Sequence, residues 1–177
     1  TLAAADPDQF GLCVLVTDGR VFDAGDAYAG FSLMSAAKPF TFALVCGHLG
    51  AERARAELGV NATGQPFNAV APVLAAVGGR TNPMVNAGAI ATCSRLPGAG
   101  LEEQWTHLLA GLSAFAGREL AIDEELYANV SATNVRNRQI AAALESQGAL
   151  ASGPDDALEL YTRQSSLLVT AHDLAVL

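Results

Sequence analysis

The stretch SAAKPFTFALVCGHL, residues 35–49, has helical spacing and is apolar on almost every face. A helix with no polar face belongs inside a core, so this segment forces the rest of the chain to wrap around it. Pro39 fits such a helix only in its first turn, where no backbone donor is needed, and this places Ser35 at the helix N-terminus. The chain has enough material to do the wrapping. Its 177 residues are 51% hydrophobic and 16% charged, the balance of one globular domain with a real core.

The same segment holds the only lysine. The chain has ten Lys plus Arg residues, and the other nine are arginines. Lys38 follows Ser35 by three, so the two share a helix face and the amine can reach the hydroxyl. A serine hydroxyl is a poor nucleophile until a base removes its proton. A lysine becomes that base when burial without a neighbouring carboxylate lowers its pKa, and an arginine cannot, because it stays protonated. The unpaired N–H at the helix start can face a developing oxyanion. The alternative is an N-capping serine beside a snorkelling lysine. Serine is sparse in this chain, so a chance S-x-x-K at the single lysine is expected about one time in twenty.

Elsewhere, FGLCVLVTDGRVFDAG reads as a β-hairpin: Leu12–Val16 and Val21–Phe22 flank a turn at Asp18-Gly19. Helices are expected at Ala51–Leu58, Leu101–Ala116, Asp123–Tyr127, Val135–Glu145, Pro154–Arg163 and Ala171–Leu177. NATGQPFN and GGRTNPMVNAGA read as loops rich in Gly, Pro and Asn. Two strands make no stable sheet alone, so either helices cover the hairpin or its partner strands lie beyond Leu177.

A net charge of −8 excludes the basic face a nucleic-acid binder needs. No apolar run approaches the ~20 residues of a membrane span, and no signal-peptide pattern opens the chain. Cys13, Cys46 and Cys93 fit buried free thiols in a reducing compartment rather than a disulfide or zinc framework. Asn86, between apolar residues, must satisfy both donors and acceptor on backbone or on a ligand's amide or carboxylate. Asn68 reads as structural. Asn137 opens a helix, as a cap or a solvent-facing residue would.

Taken in order, VTDGRVFDAGDAYAGFSLMSAAKPF, NATGQPFN, TNPMVNAGAI, RNRQIA and LYTRQSSLLVTAHDLA resemble the serine-dependent glutaminases. The resemblance covers essentially all 177 residues, and NPMVNAGAI with the upstream S-x-x-K is its most specific part. It implies an α/β (α+β) fold of the β-lactamase/DD-peptidase type. Here that means an N-terminal β-hairpin plus a mostly helical domain, residues 1–177, incomplete at both ends and lacking the C-terminal sheet strands.

The resemblance also implies a reaction: hydrolysis of L-glutamine to glutamate and ammonia, in a cytoplasmic homo-oligomer, with no metal or organic cofactor and no membrane partner. Ser35 matches the nucleophile and Lys38 its base. Asn86 and Asn137 match residues that hold the substrate's amino-acid end, and Tyr161 matches a tyrosine that assists proton transfer. Two positions depart from the family pattern. Val130 stands where a glutamate binds the substrate ammonium, and Met34 stands where a glutamine precedes the nucleophile. Two other readings follow from these departures: a non-catalytic or truncated glutaminase-like binding module, and a serine amidase acting on a different amide.

Overall fold

The computed structural model describes residues 5–177; the first four, which the sequence reading includes in the domain, lie outside the described residues. The hairpin forms as expected. Strands β1 (Gly11–Leu15) and β2 (Val21–Gly25) pair antiparallel with Gly11 opposite Gly25 and Leu15 opposite Val21. The turn closes through Gly19, whose φ of 89° suits a residue without Cβ and whose N–H donates to the Val16 carbonyl at 2.8 Å.

After the short strand β3 (Phe31–Ser32), a 3-10 turn (Met34–Ala36) leads into α1 (Ala37–Leu49). Pro39 falls in the first turn of α1, where it is tolerated. One face of the helix is buried, at Ala37, Lys38, Thr41 and Val45, whereas Pro39, Ala43, Gly47 and His48 are exposed, which corrects the expectation of a helix enclosed by core on every side. Ser35 lies in the 3-10 turn rather than at the α1 N-cap, and that cap, Ala36, receives no side-chain bond.

α2 (Ala51–Leu58) ends at Gly59, and α3 (Ala71–Ala75) is a short helix not expected from the sequence. The larger correction concerns NAGAIATC. The loop expected over residues 78–89 ends instead at Val85: residues 86–93 form α4 (Asn86–Cys93), and every one of them is buried. Tertiary packing overrides the local loop signals. α4 packs on α1, on α7 (Val135–Ser146) and on α8 (Pro154–Ser165). Gly88 is what lets it in, since a Cβ there would lie 1.8 Å from the Asn82 carbonyl oxygen.

α5 (Leu101–Ala116) follows the expected bounds, whereas α6 (Glu124–Thr133) runs longer than expected. β4 (Leu168–Val169) then pairs antiparallel with β3, and Leu33 N–H donates to the Leu167 carbonyl at 2.7 Å. This ladder ties the residues just before Ser35 to the segment just after α8. α9 (Ala171–Val176) opens with a capping box between Thr170 and Asp173 and packs on β1. Cys93 is buried, but Cys13 and Cys46 are only half-buried, which corrects the expectation for those two; all three are free thiols.

Candidate active site

Met34 is the only non-glycine residue described with a positive φ, 49°. That conformation costs about 1–3 kcal/mol and persists only where the surroundings impose it. Here the β3–β4 ladder on one side and the buried start of α1, Ala37 and Lys38, on the other hold the turn, and Ser35 emerges exposed between them.

Lys38, in the first turn of α1, is 4% exposed. Its Nζ donates to Asn86 Oδ1 at 2.8 Å and to the Met84 carbonyl at 3.2 Å, and it lies 5.8 Å from the centroid of the Phe67 ring. Burial is what pushes its pKa below the usual lysine value, in the absence of any acidic partner. A neutral lysine amine has two N–H bonds and one lone pair. With both N–H groups occupied by Asn86 and Met84, the lone pair remains for a proton donor.

A cleft of about 160 Å³ opens above these groups, lined by Ser35, Met34, Phe67, Asn86, Val130 and Tyr161 among others. That is below the roughly 300–1,000 Å³ of drug-sized sites and fits a ligand of amino-acid size. All the sequence-designated site residues except Lys38 line it, and Lys38 is bonded to Asn86 beneath. Tyr161 on α8 lines the cleft together with Ser35. Burial pushes the Tyr161 hydroxyl well above its usual value, while the nearby Ser35 hydroxyl pulls the other way. Tyr161 is thus held protonated beside the serine. Asn68 does not line the cleft.

Three contributors escaped the sequence reading. The Met84 carbonyl is a backbone atom and leaves no sequence signal. Asn134 and Thr162 line the cleft and hydrogen-bond to each other at 3.1 Å. The spacing of Asn134 and Asn137, three residues apart, was the available signal for the first. Glu125, near Val130 in sequence, lines a different cleft with Ser32 and Asn129. Among the described residues no carboxylate lines the Ser35 cleft. A larger cleft of about 630 Å³ lies between α2 and residues 76–80, but its Arg80 is bonded to the Ala56 and Val77 carbonyls and no nucleophile lines it.

A family model described as Glutaminase matches residues 1–177. The chain belongs to the glutaminase family. It is 53% identical over 170 residues to Glutaminase 2 of Yersinia pestis, covering 96% of this chain and 50% of that protein. It is 43% identical over 176 residues to a Brucella abortus glutaminase, covering 99% of this chain and 56% of that protein. Among solved structures, a probable glutaminase named ybaS superposes with a TM-score of 0.94 at 34% identity, over 97% of this chain and 56% of that one. The Bacillus subtilis probable glutaminase gives 0.89 at 31% identity, over 94% and 54%. The chain therefore has the β-lactamase-like fold of the glutaminases and spans about half the length of the curated relatives it matches.

Proposed function

We propose that this chain carries the nucleophile and base of a glutaminase, hydrolysing the side-chain amide of L-glutamine. The observation that carries the reading is the pair of bonds on Lys38, whose Nζ donates to Asn86 and to the Met84 carbonyl; in the neutral amine those bonds use both N–H groups and leave the lone pair to take the Ser35 proton. Ser35 Oγ attacks the amide carbon and Lys38 accepts the hydroxyl proton. The tetrahedral intermediate collapses as the leaving nitrogen takes a proton and departs as ammonia, and Tyr161 assists that transfer. Water then hydrolyses the glutamyl ester, giving glutamate and free Ser35. Asn86 and Asn137 hold the amino-acid end of the substrate. The chain acts without metal or organic cofactor, in a cytoplasmic homo-oligomer. Among the described residues no helix is long and apolar enough to cross a membrane.

One observation favours a second reading within the same chemistry. Val130 lines the cleft and no carboxylate does, so a substrate ammonium lacks an ionic partner there. An ω-amide that carries a carboxylate but no ammonium avoids that cost.

The test is ammonia release from L-glutamine and from glutaramate, its deaminated analogue, with Ser35→Ala and Lys38→Ala alongside. Release from glutamine, abolished by both substitutions, supports the first reading. Preference for glutaramate supports the second. Binding of either amide without release from the folded chain overturns both and leaves a binding module. Acylation of Ser35 by a penicillin-like probe in place of either amide points to a different amidase.

A further inference from the structure

A line of side chains runs from the buried lysine to a helix carbonyl 120 residues later in the chain. Lys38 Nζ donates to Asn86 Oδ1 at 2.8 Å. Asn86 Nδ2 donates to Asn137 Oδ1 at 2.9 Å, and Asn137 Nδ2 to Asn134 Oδ1 at 2.7 Å. Asn134 Nδ2 donates to Thr162 Oγ1 at 3.1 Å, and the Thr162 hydroxyl to the Leu158 carbonyl at 2.8 Å. Asn86, Asn137, Asn134 and Thr162 all line the cleft, and every member of the line is buried except Asn137, which is half-buried.

The direction of this line is fixed at its far end. A backbone carbonyl only accepts, and a threonine hydroxyl has a single proton, which goes to Leu158. Thr162 must therefore accept from an amide nitrogen. That turns the Asn134 oxygen toward Asn137, the Asn137 oxygen toward Asn86, and the Asn86 oxygen toward Lys38. Asn134 has been taken away from a more ordinary task. It is the N-cap of α7, where an asparagine oxygen usually accepts a backbone N–H, yet it makes no capping bond.

We propose that Asn134 and Thr162 are positioning residues, which fix the orientation of the Asn137 and Asn86 amides and so keep an oxygen, not an NH₂ group, in front of the Lys38 amine. The consequence rests on the reading of Lys38 as the base. With an oxygen in front of it the amine donates and its lone pair stays available. With an NH₂ group in front of it the lone pair is capped and the base is silenced. Cutting the line also weakens the acceptor on Lys38, because linked hydrogen bonds polarise one another. Both effects favour the neutral amine, so the Lys38 midpoint falls. Tyr161 on α8, the titratable group that lines the cleft, and Cys93, buried in α4, are both pushed upward by burial and are protonated where Lys38 titrates.

Because Lys38 is the only lysine, its titration is read directly by NMR with ¹³Cε-labelled lysine, whether or not the protein turns over an amide. In the unsubstituted protein, the side-chain ¹⁵N signals of Asn86, Asn137 and Asn134 must move with the Lys38 midpoint. Thr162→Val and Asn134→Gly each cut the line, glycine being tolerated at an N-cap. Each is expected to lower the midpoint by roughly half a pH unit, and the double variant to lower it no further. Thr162→Ser keeps the hydroxyl and must restore the original midpoint. The proposal is overturned if the Asn134 signal ignores Lys38, if the midpoint stays put in both cut variants, or if Thr162→Ser moves it as far as Thr162→Val. Ammonia release tests the glutaminase reading separately, so the two can fail independently.

Discussion

The N-terminal hairpin and α4 are opposites. All five residues of β2 are exposed, and Leu12, Val14 and Phe22 show at least half their surface to solvent. All eight residues of α4 are buried, two of them polar side chains with hydrogen-bond partners, Asn86 and Thr92. The strand alternation that identifies the hairpin says nothing of which face is covered. The loop-forming residues that hide α4 are the ones that let it pack: Gly88 admits the Asn82 backbone, and Asn82 Oδ1 accepts from Met84 N–H at 2.9 Å to shape the approach. Stability and chemistry therefore concentrate in the region whose sequence looks least regular.

The largest expected effect lies in α4. Gly88→Ala drives a methyl group into the Asn82 carbonyl and is expected to cost about 3 kcal/mol or more, read as a lower urea midpoint. A loss below about 1 kcal/mol would mean that α4 is no tighter than the hairpin, and the contrast would collapse.

The hairpin is backed by α9, which packs on β1 and on α5. Asp173 accepts from Arg118 at 2.6 and 2.9 Å and from Thr170 N–H at 2.8 Å. Burial pushes its carboxyl up, but Arg118 and Thr170 together hold it below the ordinary value. A carboxyl depressed in the folded state adds stability above the unfolded value of about 3.9, and that stability is lost as the pH falls through the folded value. Asp173→Asn is expected to cost about 1 kcal/mol at neutral pH, since Arg118 is partly solvated, and to flatten the acid side of the stability curve below about pH 4. An unchanged acid slope, measured by urea unfolding between pH 2 and pH 7, would detach α9 from the stability of the fold.

The smallest effect belongs to the hairpin. Phe22→Ser is expected to change unfolding free energy by no more than about 0.5 kcal/mol while raising solubility, because the ring is 55% exposed. A loss above about 2 kcal/mol would show that the ring is covered in solution.

Residue patterns found most of the helices because each is an uninterrupted amphipathic or apolar run. They missed β3 and β4, which are two residues each and pair across 136 positions, a distance over which local sequence carries no signal. They missed α4 because asparagine and glycine favour loops until a buried neighbour decides otherwise. At the site, Ser35, Lys38, Asn86, Asn137, Val130 and Tyr161 were all chosen from sequence and converge on one cleft or its floor. The lone lysine supplied the first two on physical grounds; Asn86 stood open between a structural and a ligand-binding role until the resemblance decided it, and the resemblance supplied the other three. Thr162 could not be found this way. Its part depends on the α6–α7 corner meeting α8, which only the fold reveals.

The most direct test of the central claim, that buried Lys38 activates Ser35, is covalent trapping. The protein would be treated with an electrophilic γ-diazoketone analogue of glutamine and the adduct located by mass spectrometry. One adduct per chain at Ser35, forming faster as the pH rises through the Lys38 midpoint and absent from Lys38→Met, is the predicted result. An unlabelled Ser35 in the folded chain, or labelling that persists in Lys38→Met, would contradict the account.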